Sequence, residues 1–402
     1  RSLFNHRLGG LELDEHKFNA LLSRNVPLDL SKAPLDWAIC VEELYKNVTE
    51  EKKGKVKQLA KRYPRLQKLE FLSLTLPIIT SKIEVLERKL LPLQQKYADI
   101  FDINHSINIL LDNLLGKLGT IASRTLVLEM HTAKHNGLLQ GENSRQRYLS
   151  YIDLLSTPEY SYKLLREYPV LARKLVKVTN YWGDVCYEFI NRLTKDYEHL
   201  KNTFSPEQPL GIFKGLSKET GDSHKKGRSV FIVQFSSGKK IVYKPRSVSI
   251  ESHFQGLLTW LNEKDSKLNF KVLKVLEREK YGWVEFVPYR ECRSEQELRN
   301  FYFQLGGLKA VLYALRATDF HHENFIACGE QPVAIDLETL FQLKITESKG
   351  IDGLYSALDS GMLPTETSSD NALDPSGMGA NQNDKASGNA WQGLQTDELS
   401  LG

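Results

Sequence analysis

Three carboxylates and an asparagine sit at spacings that suit the handling of charge. Asp319 and Asn324 lie five residues apart in Thr318-Asp319-Phe320-His321-His322-Glu323-Asn324. Asp336 and Glu338 follow in Val333-Ala334-Ile335-Asp336-Leu337-Glu338, after a turn at Gly329-Glu330-Gln331-Pro332. Phosphoryl transfer needs such a set: one carboxylate facing the acceptor hydroxyl, and an Asn with a second carboxylate holding Mg2+ against a triphosphate. Asp336 and Glu338 share one side of a strand-like segment by its period of two. Like charges so placed favour a cation between them. A lysine must also reach the phosphates from a strand. Lys244 closes the run Lys-Ile-Val-Tyr-Lys 75 residues before Asp319, and Pro245 stops the ladder there.

Ahead of that strand, Gly221-Asp222-Ser223-His224-Lys225-Lys226-Gly227-Arg228 stands where a glycine-rich phosphate loop is expected, without the GxGxxG pattern. Side chains of Asp222, His224 and Arg228 can bond phosphate or move protons where bare backbone cannot. Taken singly, each piece has an ordinary explanation. Asp and Asn commonly cap their own loop backbone, a lysine ending a strand is usually a solvated edge residue, and Asp222 with His224 can simply bond the turn. His321 and His322 are adjacent, so they cannot face one ion from a regular element, and HExxH is absent. The conjunction, in this order along the chain, is the signal.

The elements that must position these residues are legible in outline. Ile107, Leu110, Leu111, Leu114, Leu115 and Leu118 recur at helical spacing, as do apolar residues from Tyr148 to Leu200. Helices are therefore expected over 1–205, as a region for peptide recognition or capping. Lys52–Arg65 is strongly basic and reads as a solvated helix face. The texture changes at Ser205, where Ser-Pro-Glu-Gln-Pro-Leu-Gly-Ile-Phe-Lys-Gly, residues 205–215, carries two prolines and two glycines and reads as a linker or domain entry. An α+β core is expected over 206–402. Ser229–Phe235 and Lys240–Tyr243 flank a glycine turn as a hairpin; a helix over Phe254–Asn262, strands near Phe270–Val275 and Trp283–Val287, and a helix over Glu295–Ala317 follow. Ser368–Gly393 reads as a loop.

Composition sets outer limits. The 402 residues favour two domains. A net charge of +4 gives no footprint of a nucleic-acid protein. No apolar run reaches the roughly 18 residues of a transmembrane helix, and no export signal opens the chain. Cys40, Cys186, Cys292 and Cys328 are too dispersed for zinc and read as reduced thiols of a cytoplasmic protein. The chain starts at Arg1, and a piece of a longer or split protein is expected.

GDSHKKGRSV, YKPRS with FQGLLTWLN, TDFHHENFIA and IDLETLF together resemble the dehydratase domain of class II lanthipeptide synthetases, the LanM type. The likeness extends upstream to RTLVLEMHTAKHNGLLQGENSRQRY and downstream to SGMLP and DPSGMG. It implies a bilobal core like that of lipid and protein kinases, with added helices. The implied activity uses ATP and Mg2+ to phosphorylate Ser or Thr of a precursor peptide, then eliminates phosphate to leave dehydroalanine or dehydrobutyrine. The implied roles are the acceptor hydroxyl for Asp319, with His321 beside it, and Mg2+ for Asn324, Asp336 and Glu338. Lys244 would take the nucleotide phosphates, with His224 and Arg228 near them, and Asp222 with His224 would handle the departing phosphate. A cyclase, in the same protein or a separate chain, is the implied partner. The alternatives are a kinase-like phosphotransferase without elimination and a non-catalytic peptide-binding module.

Overall fold

A computed structural model of the chain describes residues 14, 17, 35–46, 48–217, 226–342, 356–363, 376–377 and 391–401. The first half is helical: α1 (Asp36–Tyr45), α2 (Glu50–Arg62), α3 (Leu76–Lys96), α4 (Ile103–His135), α5 (Ser144–Ser156), α6 (Pro158–Glu167) and α7 (Pro169–Phe204). Short polar residues open three of them, Thr49 for α2, Asp102 for α4 and Asn143 for α5. The Asp102 carboxylate accepts from His105 N–H at 2.7 Å, and the Asn143 amide oxygen from Gln146 N–H at 2.9 Å, satisfying donors that a helix start leaves orphaned. Of the residues in α4 that the spacing singles out, Ile107, Leu110, Leu111, Leu114 and Leu118 are buried and Leu115 is half-buried. Basic α2 is a solvated face with its own partners: Lys53, Lys55 and Arg62 pair with Glu50, Glu51 and Glu87. Among the described residues no helix is long and apolar enough to cross a membrane.

The 36-residue α7 packs on α1, α3 and α4 and also carries the sheet. That sheet comprises β1 (Phe213–Leu216), β2 (Phe231–Phe235), β3 (Lys240–Lys244), β4 (Val275–Glu277) and β5 (Gly282–Glu285). Its order is β1-β2-β3-β5-β4, with every pairing antiparallel. Strand alternation sends Phe231, Tyr243 and Trp283 into the aromatic core around Phe189 of α7. Val242 and Val284 face the other way, into a smaller apolar cluster. The hydrophobic core thus crosses the helix-to-strand boundary at Phe204–Phe213.

Three sequence expectations shift. β1 falls largely within the stretch expected as a linker, because Phe213, Gly215 and Leu216 pair with β2. The strand expected over Phe270–Val275 starts only at Val275. Phe270 is buried in a separate cluster, and its backbone bonds the Asn262 side chain, N–H to Oδ1 at 2.8 Å and C=O from Nδ2 at 2.9 Å. One amide thereby takes the place of a ladder partner. The helix expected from Phe254 is α8 (Ser249–Lys264), beginning five residues earlier.

The second lobe contains α9 (Glu295–Ala314) and the hairpin β6 (Phe325–Cys328) with β7 (Gln331–Ala334). The short pair β8 (Trp391–Gln392) and β9 (Ser400–Leu401) ends the described chain; most of Ser368–Gly393 lies outside the described residues. The turn between β8 and β9 docks on α4 and α5 through fully buried Asp397, which accepts from Arg147 Nε at 2.5 Å and from the Ser144 hydroxyl and pairs with Lys134 at 2.9 Å. Burial pushes this carboxyl up, but the bonds from Arg147, Ser144 and Lys134 outweigh it and hold the group well below the usual carboxylate range. A carboxylate held low stabilises the fold in full above its unfolded pKa, about 4. The contribution drains away as pH falls through the folded value. Acid unfolding followed by circular dichroism should therefore show a loss starting below about pH 4 that Asp397→Asn removes. The variant should be less stable at neutral pH by about 2–4 kcal/mol, since Lys134 and Arg147 lose their partner.

Candidate functional site

Lys244 sits at the end of β3 on the face opposite Tyr243, turned from the aromatic core toward the second lobe. It is buried, and its Nζ donates to Glu251 Oε1 at 3.0 Å and to the Ile335 carbonyl at 2.7 Å. Glu251 lies in the first turn of α8, on the stripe of Phe254, Gln255 and Leu258 that the helix buries. What lets α8 start against the sheet is Gly282: a Cβ there would lie 2.1 Å from Val248 Cγ2, at the helix's N-cap. Lys244 thus ties the sheet, α8 and the segment leaving β7 together at one point.

The loop 318–324 is held from both sides. Thr318 N–H donates to Thr339 C=O at 3.1 Å, and the Thr339 hydroxyl returns a bond to Thr318 C=O. Phe320, fully buried, donates its N–H to Ser360 C=O at 2.9 Å. Between these clamps Asp319 takes a left-handed conformation, φ +64°, with its carboxylate 66% exposed. Such backbone costs an L residue about 1–2 kcal/mol, least for Asp and Asn. His321 Nδ1 accepts from Glu323 N–H at 3.3 Å, which puts the proton of a neutral ring on Nε2, 3.8 Å from Asp319 Oδ1. Asn324 Nδ2 stands 3.3 Å from the same Nε2, but its firmer bond is to Asp319 C=O at 2.7 Å. Capping its own loop in this way leaves Asn324 Oδ1 as the atom able to face a cation.

Asp336 and Glu338 follow the small hairpin. Ile335 N–H donates to Asn324 C=O at 3.1 Å, so the residue before Asp336 lies directly against Asn324. The two carboxylates are 48% and 46% exposed, and one guanidinium faces both: Arg246 Nη2 is 3.2 Å from Asp336, and Nε is 2.9 Å from Glu338. Arg246 Nη1 also lies 2.9 Å from Glu251 Oε1. Three carboxylates against Lys244 and Arg246 leave one negative charge uncompensated at the mouth of the site. That balance, with a half-exposed acidic pair, suits a divalent cation. Among the described residues no group of three His, Cys, Asp or Glu could hold a metal ion by itself, so Asp336, Glu338 and the Asn324 amide are the candidate ligands described, and a cation there would have to complete its shell with other oxygens.

The structure brings Lys244, Asp336, Glu338 and, through its backbone, Asn324 into one connected network. It places Arg228 elsewhere, donating from Nε and Nη2 to Glu188 of α7 at 3.0 and 2.6 Å. Glu188 also accepts from Arg192, which reaches the Tyr243 hydroxyl, so this network lies on the face opposite Lys244. Asp222 and His224 lie outside the described residues. Glu251 and Arg246 are site residues that the sequence reading missed. A glutamate on the apolar stripe of a helix was the available signal for Glu251; Arg246 offered none.

Backbone strain at Asp319 yields a test. Asp319→Gly should raise stability by about 1 kcal/mol, because glycine adopts positive φ freely. A lowered melting temperature would show that the loop depends on the Asp319 side chain instead.

Residues 168–402 match the family model named Domain of unknown function (DUF4135). The chain is also 29% identical over 285 residues to the lacticin 481/lactococcin biosynthesis protein LcnDR2 of Lactococcus lactis subsp. lactis. That match takes in 66% of this chain and 30% of the relative, so the chain spans less than a third of the relative's length. With more than half of its residues inside the matched model, the chain belongs to the DUF4135 family.

Proposed function

We propose that the chain is the phosphorylating and dehydrating part of a lanthipeptide-maturing enzyme, with a kinase-like core. The observation that carries this reading is the buried Lys244–Glu251 pair bound to the carbonyl just before Asp336. Protein kinases pair a β3 lysine with a glutamate of the following helix in this way and hold metal with an Asp beyond the catalytic loop. The sheet order β1-β2-β3-β5-β4, with α8 inserted between β3 and β4, supports the same reading. The likeness to a lacticin 481/lactococcin biosynthesis protein supports a precursor peptide as the substrate.

In this mechanism Lys244, oriented by Glu251, holds the nucleotide phosphates. Asn324, Asp336 and Glu338 would hold Mg2+, which would supply charge neutralisation for the phosphates. Asp319 accepts or orients the Ser or Thr hydroxyl proton, and His321 stands within reach of its carboxylate. Transfer breaks the bond between the γ-phosphorus of ATP and its bridging oxygen, releases ADP and leaves a Ser or Thr phosphate ester. Elimination then needs a base for the α-proton and an acid for the departing phosphate; Asp222 and His224 are assigned that step from the sequence.

Intact-mass spectrometry of a precursor peptide co-expressed with the full protein is the test. Loss of water at several Ser and Thr residues is expected. Asp336→Asn should lower ATP-dependent modification by about 100-fold or more without lowering the melting temperature. Full activity of that variant at ordinary Mg2+ would remove the metal assignment. His224→Ala should shift the product from dehydrated to phosphorylated peptide. Equal slowing of both steps would make His224 a nucleotide or structural residue.

A further inference from the structure

Arg246 follows Lys244 by two residues and contacts three carboxylates from two elements: Glu251 of α8, and Asp336 and Glu338 beyond β7. An arginine bound for good to a carboxylate normally makes two parallel N–H···O bonds with one partner. Here each of three nitrogens approaches a different carboxylate. Nε lies 2.9 Å from Glu338 Oε1 but is not aimed at it, so this buried N–H makes no hydrogen bond. Glu251 Oε2, also buried, makes none either. The directed bonds of the guanidinium are two long ones, from Nη2 to Asp336 Oδ1 and from Nη1 to the Ser247 carbonyl, each at 3.2 Å, so charge supplies the rest of its hold and little directed bonding opposes its leaving. A planar fork two residues from the phosphate-binding lysine is also well shaped for phosphate oxygens.

We propose that Arg246 competes with the divalent cation for Asp336 and Glu338, and that binding of cation and nucleotide turns its fork from the carboxylates to the phosphates. Arg246 would thereby hold the acidic pair together and delay cation capture until a nucleotide arrives. This rests on the metal assignment made above for Asp336 and Glu338. It makes Arg246 a phosphate-binding and positioning residue for the transfer step.

Mn2+ binding to the full chain, read by electron paramagnetic resonance without nucleotide, separates the possibilities. Arg246→Gln removes the charge and keeps hydrogen-bonding capacity. It should tighten Mn2+ binding by about tenfold, since one cation no longer opposes the metal across a few ångströms. The same variant should bind Mn2+–ATP more weakly than the wild type. Arg246→Lys keeps the charge, so Mn2+ alone should bind as in the wild type while Mn2+–ATP binding falls. A purely structural arginine would give weaker Mn2+ binding in both variants, never tighter. Unchanged or weaker Mn2+ binding in Arg246→Gln overturns the proposal. Asp336→Asn, alone and with Arg246→Gln, tells which reading has failed. If it abolishes Mn2+ binding while Arg246→Gln changes nothing, the metal site stands and the role of Arg246 falls. If Mn2+ binding survives Asp336→Asn in both backgrounds, the metal assignment falls and this inference with it.

Discussion

The buried ion pair between Lys244 and Glu251 is the constraint around which the second half of the chain is arranged. Taking an ammonium and a carboxylate out of water costs several kcal/mol each, and their attraction offsets this only when further bonds complete the arrangement. The Ile335 carbonyl supplies one on the lysine side, and Arg246 adds charge on the carboxylate side. Each of these requires another element to be in place: α8 for Glu251, the exit of β7 for Ile335. Loss of Glu251 would leave the buried Lys244 without a carboxylate, whereas loss of Lys244 would leave Glu251 with Arg246 alone. Apolar clusters lie close around the pair. Val242, Val248, Val284 and Val333 pack together beside it, while Phe254, Leu312 and Phe320 belong to the cluster beyond α8. Their packing is what makes the burial affordable.

The opposite face of the same sheet is anchored quite differently. Glu188, Arg192 and Asp196 stand four residues apart on α7 and so share one face of the helix. Arg192 reaches Tyr243 and lies over the Tyr281 ring at 4.2 Å. Asp196 accepts from Trp283 Nε1 and pairs with Arg278. These bonds fix where the sheet lies along the helix, and Arg228 joins them through Glu188. A guanidinium committed there helps hold the chain leading into β2. Its pull on the site passes through backbone, not through direct contact with Lys244.

How much of this was legible in the sequence follows the range of each interaction. The spacing of Asp319 and Asn324, the strand ending at Lys244 and the hairpin before Asp336 are local, and periodicity with turn chemistry sufficed to find them. Partners distant in sequence were not legible. Glu251 carries a signal only as a glutamate on the apolar stripe of α8, which starts before the expected helix, and Arg246 finds its carboxylates on other elements. Asn262 replacing a strand partner for Phe270 is a pairing that no pattern of hydrophobic residues encodes. Asp397 was invisible for the same reason: its partners Lys134, Ser144 and Arg147 lie some 250 residues earlier. All three fall within the upstream stretch of the family resemblance, RTLVLEMHTAKHNGLLQGENSRQRY, and gripping the β8–β9 turn gives that stretch a structural reason to be distinctive.

That grip, together with the shared core, decides how the helical half should be regarded. An added domain would bury its own apolar residues and meet its neighbour across a polar boundary. Here Phe189, Leu193 and Leu200 of α7 belong to the same buried cluster as Phe231, Tyr243 and Trp283 of the sheet. An antiparallel sheet can leave one face to water, but this one carries large aromatic residues on one face and valines on the other, and needs cover on both. The helices supply the first cover and the second lobe supplies the other. Lys244 is therefore positioned by packing on both faces of its strand, and α7, through the aromatic residues of that strand, helps set where the lysine stands.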